Sequence, residues 1–274
     1  MEYSKDRLDL LHESLLEILN FIDRFCSANN LKYYLIGGTA LGARRHKGFI
    51  PWDDDLDIGM PRLDYEKFRK LMYKLDDRVY RIQDETTEPN YFLPFAKIRK
   101  QGTIFREYVS KDLYKDNGLF VDVFPIDTFS KIDGKLNKLE LKKAQLIKHE
   151  LRFRYCKWYY KERFDMKEYS KAVISAIPYA CYSRDDLFRK LKKISVSQID
   201  KSAKFAANIA GTNKICREIM PYDVFYPLKL IKFEGREYPC VNDIDTYLTN
   251  LYGDFMKLPP AEKRRTHEPL ELKF

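Results

Sequence analysis

The sequence lacks the usual signatures of nucleotide and metal chemistry. Glycine is scarce, 11 in 274 residues, and none falls into the G-x-x-x-x-G-K-[ST] spacing of a P-loop or the G-x-G-x-x-G of a dinucleotide site, which excludes both phosphate-binding devices. The five cysteines, Cys26, Cys156, Cys181, Cys216 and Cys240, contain no Cys-x-x-Cys pair, and the four histidines are scattered. A zinc ribbon, a redox dithiol and a His-rich metal site are therefore not expected. Apolar runs such as that from Ile174 to Tyr182 are too short to span a bilayer and are broken by Ser175 and Pro178. The opening Met-Glu-Tyr-Ser-Lys-Asp-Arg has no apolar core of a signal peptide, so a cytoplasmic location is the expectation. What the chain does have is charge: 50 basic against 41 acidic residues, net +9. That balance favours phosphate-bearing partners, whether nucleotides, anionic polymers or anionic lipid surfaces, without choosing among them.

The pattern along the chain predicts an amphipathic helix on Leu8, Leu11, Leu15, Ile18, Ile22 and Phe25. A short strand, Lys32 to Ile36, stops at Gly37-Gly38, and a helix starts at Thr39. After Phe49-Ile50-Pro51-Trp52 comes Asp53-Asp54-Asp55-Leu56-Asp57-Ile58-Gly59-Met60, whose second half alternates as a half-buried strand does, followed by a helix capped by Asp64 and running to about Leu75. Further strands are predicted at Val79 to Gln83, Tyr91 to Arg99 and Thr103 to Glu107, the last two joined by a turn, and at Gly118 to Pro125. Residues from Lys131 to about Met220 read as helical: a charged helix up to Tyr160, a capped helix from Ser183 and a helix ending at Gly211. A hairpin turning at Glu234-Gly235 and a helix from Asp243 to Leu251 close the chain. The expected organisation is a catalytic core over 1–130, a helical lobe over 131–220, and a C-terminal hairpin and helix over 221–274 that pack back on the core.

Residues i and i+2 of a strand share a face, so Asp55 and Asp57 present two carboxylates together. Their mutual repulsion is relieved by a divalent cation, and hard oxygen ligands suit Mg2+ or Mn2+. Asp122 sits inside the apolar run Phe120-Val-Asp-Val-Phe124, where a lone charge is costly to bury. If its strand lies beside that of Asp55 and Asp57, a three-carboxylate cluster results. Gly37, Gly38 and Thr39, at a helix start, let backbone amides approach a phosphate. The bland readings are a solvated acidic pair and a simple glycine turn; their joint order, with a third acid in an apolar strand, argues for chemistry.

That order resembles the signature of the nucleotidyltransferase superfamily. The longer run Gly38-Thr-Ala-Leu-Gly-Ala-Arg-Arg-His-Lys-Gly-Phe-Ile-Pro-Trp-Asp-Asp-Asp-Leu-Asp-Ile is similar to the LicD family, as are Met60-Pro61-Arg62, Phe120 to Pro125, Tyr252-Gly253-Asp254, Leu258-Pro259-Pro260 and Lys263-Arg264-Arg265 with His267. The resemblance implies an α+β fold: a nucleotidyltransferase-like mixed β-sheet flanked by helices, here with an additional helical lobe. It implies transfer of phosphocholine or a related phospho-alcohol from a CDP-linked donor such as CDP-choline to a sugar of a cell-surface glycan or lipid-linked glycan, with Asp55, Asp57 and Asp122 as metal ligands and Asp122 or a metal-associated water taking the acceptor's proton. Arg45 holds the place of the family's usual arginine and is a candidate phosphate contact, whereas Arg44 stands where an apolar residue is usual.

Lys97 is the first candidate to neutralise phosphate charge, against the reading of a surface lysine on an edge strand. Trp52, next to the acids, is the aromatic face expected for a quaternary ammonium. His46 and His267 are read as structural. The basic and aromatic segment Leu151 to Phe164 fits peripheral contact with an anionic membrane on the inner face, or equally an ordinary packed helix; nucleic acid is not the expected partner. Two other functions stay open on sequence: a nucleotidyltransferase using a nucleoside triphosphate, and a non-catalytic surface-binding protein.

Overall fold

Helix α1 (Lys5–Ala28) begins where the Ser4 hydroxyl accepts from the Arg7 amide, and its apolar stripe buries Leu11, Leu15, Ile18, Leu19, Ile22 and Cys26 against a sheet. The computed structural model describes residues 4–110, 113–115, 117–130, 135–156, 158, 166–196, 203–211, 213, 215–264, 266–267 and 269–274. Most of the basic and aromatic stretch 157–165 and the predicted helix end at Tyr160 lie outside the described residues; the helix preceding them ends at Tyr155.

Strand β1 (Tyr34–Leu35) leads into α2 (Gly37–His46), and β2 (Asp57–Pro61) into α3 (Arg62–Met72). Then follow β3 (Tyr80–Gln83), β4 (Ala96–Lys100), β5 (Ile104–Arg106) and the long β6 (Leu119–Phe129). The main sheet has the order β3-β4-β6-β2-β1, continued by β10 (Arg236–Cys240) and β9 (Lys229–Phe233). Its central strand β6 is parallel to β2 and antiparallel to β4, and all its residues but Thr128 are buried, as expected of a strand covered on both faces. The mixed sheet flanked by helices is the α+β fold expected. The hairpin β9–β10 turns on Glu234 and Gly235, both with positive φ, the conformation that a two-residue hairpin turn requires.

The lobe contains α4 (Lys135–Tyr155), α5 (Met166–Ala176) and α6 (Arg184–Val196), the last started by a reciprocal bond between the Ser183 hydroxyl and Asp186. Its own apolar cluster joins Leu141, Ile147 and Leu151 to Leu187, Leu191 and Tyr91. The predicted helix ending at Gly211 is instead strand β7 (Phe205–Ala207), paired with the far end of β6 and with β8 (Ile219–Pro221). The strand ladder offered by β6 overrides the helical preference of the alanines. Short helices α7 (Ile215–Glu218) and α8 (Tyr222–Phe225) precede β9, and α9 (Ile244–Tyr252) is capped by Asp243.

Three further expectations change. Helix α3 starts at Arg62 after Pro61, with Asp64 in its first turn rather than at its cap, and ends at Met72. Strands β4 and β5 do not pair with each other: β4 lies between β3 and β6, and β5 pairs with the C-terminal β11 (Glu271–Lys273). Strand pairing of β2 begins at Asp57, one residue after the Leu56 carbonyl accepts from the Asp122 amide at 2.9 Å, so Asp55 precedes the strand.

Candidate active site

Register alone brings the acids together. In the parallel β2–β6 pair Asp57 lies opposite Asp122, and in the antiparallel β4–β6 pair Lys97 lies opposite the same Asp122. Paired residues of neighbouring strands project to one face, so Asp57, Asp122 and Lys97 form a row across three strands. Lys97 is 1 % exposed, in the interior of the sheet and not on an edge. Its Nζ is 2.9 Å from Asp122 Oδ1, 3.6 Å from Glu107 Oε2 and 3.3 Å above the Phe120 ring. Glu107 also lies 3.7 Å from the buried Arg99 guanidinium. Two cations thus back one side of the acid row.

The glycine pair is shaped by carboxylates. Gly37 has φ +55°, and a Cβ there would come within 2.9 Å of Asp57 Oδ2; a Cβ at Gly38 would come within 3.0 Å of Asp53 Oδ2. The Asp57 amide donates to the Thr39 hydroxyl at 2.8 Å, which ties the start of α2 to the acidic strand. The Gly37 amide is taken by the Tyr247 hydroxyl of α9 at 3.1 Å.

Burial raises the Asp57 carboxyl far above the usual carboxylate range, and repulsion from Asp55, Asp122 and Asp53 adds to it. Asp53 is pushed up in the same way, by burial and then by Asp55, with which it shares a hydrogen bond. Asp122 is raised to about 6, burial and Glu107 pushing up while Lys97 pulls down. Asp53, Asp55 and Asp57 nonetheless keep part of their surface in reach of solvent. Crowded, half-shielded negative charge of this kind is what a hard cation relieves, and Asp55, Asp57 and Asp122 carry the oxygen donors that suit Mg2+ or Mn2+. Among the described residues no three His, Cys, Asp or Glu side chains are already drawn together as a metal cage. Asp122 is instead turned onto Lys97.

The remaining candidates lie around this row in different states. Arg45 donates to the Phe255 carbonyl at 2.6 Å and to His46 Nε2 at 2.9 Å, so it braces the segment after α9. Arg44 makes a two-pronged surface pair with Asp245. Trp52 is half-buried, with the Arg264 guanidinium 4.4 Å over its ring. Asp54, 2 % exposed, accepts from the His267 backbone amide at 2.8 Å and from His267 Nδ1 at 2.9 Å, which anchors the C-terminal segment beside the acids. The His267 side chain is half exposed, and its bond to Asp54 with the charges of Asp55, Asp54 and Glu107 raises its pKa to about 10. Asp54 is thus an anchor for a distant segment, a role that no local pattern discloses. Glu107 and Tyr247 carry no functional expectation from the sequence, and Tyr252 enters there only as part of the Tyr252-Gly253-Asp254 motif; Tyr252 is exposed but close enough to Asp57, Asp53 and Asp55 for their charges to raise its hydroxyl.

The chain matches the family model described as LicD/FKTN/FKRP, nucleotidyltransferase domain, over residues 30–167. It is 32 % identical over 265 residues to the lipopolysaccharide cholinephosphotransferase LicD of Haemophilus influenzae, covering 94 % of this chain and 95 % of that one. Shorter stretches match an uncharacterised protein of Rickettsia typhi, 40 % over 70 residues (26 % of this chain, 23 % of that one), and the human ribitol 5-phosphate transferase FKRP, 40 % over 47 residues (17 % and 10 %).

Proposed function

The chain belongs to the LicD family of phosphotransferases, and from that premise we propose that it moves phosphocholine, or a related phospho-alcohol, from a CDP-linked donor such as CDP-choline to a sugar hydroxyl of a cell-surface polysaccharide or teichoic acid precursor. The observation that carries the reading is the row Asp57, Asp122 and Lys97 beside the glycine pair. The match to a lipopolysaccharide cholinephosphotransferase along nearly the whole of both chains supports the phosphocholine group and the glycan acceptor.

In this reading Asp55, Asp57 and Asp122 hold Mg2+ or Mn2+, which when bound would neutralise the charge of the donor's phosphate oxygens. Gly37 and Gly38 leave room above Asp57 and Asp53 for the phosphates to come down onto the backbone beside Thr39. Asp122 takes the proton of the acceptor hydroxyl as that oxygen bonds to the choline-bearing phosphorus; the bond from phosphorus to the oxygen of CMP breaks, and CMP leaves. Lys97 keeps Asp122 in place and offsets charge developing next to it. Arg45 braces the wall of the site near the donor. The face of Trp52 takes the quaternary ammonium once Arg264 has moved off it.

No helix among the described residues is long and apolar enough to cross a membrane. The proposed place of action is the cytoplasmic side of the envelope, in peripheral contact with an anionic membrane that carries the acceptor. The test is to mix the protein with CDP-choline, a divalent cation and an envelope glycan, and to measure CMP release with choline phosphate appearing on the glycan. Pyrophosphate release from a nucleoside triphosphate, with CDP-choline inert, would replace this reading by nucleotidyl transfer.

A further inference from the structure

The row of Asp57, Asp122 and Lys97 continues past the acids. Arg99, two residues beyond Lys97 on β4, shares its face and lies opposite Phe120 of β6. The Phe120 ring is 3.3 Å from Lys97 Nζ and 4.8 Å from the Arg99 guanidinium carbon. Arg99 Nε donates to Gln83 at 2.7 Å and Nη1 donates to the Gly118 carbonyl, while Nη2 only approaches Glu107, at 3.7 Å.

Arg99 Nη2 and the hydroxyls of Tyr91 and Tyr114 are buried and have no hydrogen-bond partner among the described residues. The three residues are 0, 0 and 6 % exposed. The two tyrosine rings are 5.5 Å apart. Burial raises both hydroxyls far above the usual range; Tyr114 and Asp122 add to it at Tyr91, Glu107 adds to it at Tyr114, and the Arg99 charge opposes both. The hydroxyls therefore lie about one guanidinium, between the carboxylates of Asp122 and Glu107. Buried polar groups almost always have partners, so three orphan atoms beside a proposed catalytic base call for an occupant.

The chemistry of the place limits what that occupant is. Two cations, Lys97 and Arg99, stand within 3.7 Å of two carboxylates, Asp122 and Glu107, so the fixed charges balance. An ion brought in would be one charge too many, out of water. Two hydroxyls that give and take a hydrogen bond, with one N–H that only gives, match the oxygens of a hydroxyl-bearing ligand. The side of the site is also fixed. The glycine pair adjoins Asp57 of β2, whereas β4 flanks β6 on the opposite edge from β2. Attacking and leaving oxygens stand on opposite sides of the phosphorus in an in-line displacement. With the donor's phosphates on the glycine pair, the acceptor comes from the side of β4, where the orphan atoms are. Tyr91 and Tyr114 belong to the apolar cluster of the lobe and Arg99 to the core sheet, so these atoms line the seam between the two.

We propose that the lobe side of this seam lifts from β4 to admit the acceptor, and that Tyr91, Tyr114 and Arg99 then bond the hydroxyl oxygens next to the attacking one on an uncharged, polyhydroxylated part of the glycan. The proposal rests on the transferase reading. It gives the lobe a part in selecting the acceptor, through the two tyrosines that its apolar cluster holds.

The test uses Tyr91→Phe and Tyr114→Phe in the full chain, each of which deletes one orphan oxygen and keeps the ring. Removing a buried group that has no partner should raise the melting temperature by about 2–4 °C. Retention on an array of bacterial envelope oligosaccharides, without donor, should weaken by about tenfold for a lost hydrogen bond, and affinity for CDP-choline should stay as in wild type. A merely structural hydroxyl would instead lower the melting temperature when deleted. That result, retention equal to wild type's in both variants, retention only of glycans that carry phosphate, no retention by wild type, or an equal loss of CDP-choline affinity would each overturn the proposal. CMP release by wild type is followed in parallel: its absence, with the variants still weakened on the array, would sink the transferase reading and leave the seam standing as a glycan site.

Discussion

Replacing Gly37 by alanine separates the two jobs of the glycine pair. The backbone there has φ +55°, a conformation that costs an L-residue about 1–2 kcal/mol. The new methyl would also stand 2.9 Å from Asp57 Oδ2, so the carboxylate must move. It has little freedom to take its backbone along, because the Asp57 amide is bonded to Thr39 and its strand is paired on both sides. Strain of this size lowers the melting temperature by roughly 2–8 °C for a chain of this length. Swinging a reacting group by the order of 1 Å costs about 100-fold in turnover. Gly38→Ala is the control, since φ there is ordinary and its methyl would meet Asp53 at 3.0 Å. It should melt closer to wild type and lose less activity. Thermal denaturation and CMP release on the three proteins give the answer. If Gly37→Ala melts and turns over as wild type does, the argument that the glycine exists to seat the Asp57 carboxylate is wrong.

Other perturbations follow from the same geometry. Lys97→Met leaves Asp122 without its buried partner and should cost about 3–5 kcal/mol, read as a lower urea midpoint; an unchanged midpoint would remove the structural role of this lysine. Glu218 is raised by burial from 4.5 to about 7, so the unfolded chain gives up this proton first and stability falls as pH rises between those values. Glu218→Gln keeps the bond from Asn213 and should remove that slope, on the order of 3 kcal/mol between pH 4 and pH 8; a melting curve as pH-dependent as wild type's would refute it. His267→Ala loses the imidazole bond to Asp54 but keeps the backbone ones, so amide exchange across β11 should quicken by roughly 2- to 5-fold, with the rest of the sheet unchanged.

The sequence disclosed those parts of the site that depend on local pattern. Alternation around Asp57 marked a strand, and a charge stranded in the apolar run at Asp122 implied company, which β6 supplies by register. For Lys97 the sequence left a surface lysine on an edge strand open as the alternative, because its strand read alone shows no outer neighbour; the presence of β3 outside β4 makes it interior. The bond from His267 to Asp54 spans 213 residues, and neither end carries a local signal of the other. Residues 205–207 were missed for a related reason: three small or aromatic residues become a strand because the far end of β6 extends beyond β2 and offers a free ladder. Long-range pairing decided these positions, and propensity did not.

The central claim is that Asp57, with Asp55 and Asp122, binds the cation on which the donor's phosphates rest. Calorimetric titration of Mn2+ in the presence of CDP-choline, on wild type and Asp57→Asn, addresses it directly. The account predicts saturable binding by wild type and its loss in the variant; equal binding by the two proteins, or none by either, would contradict it.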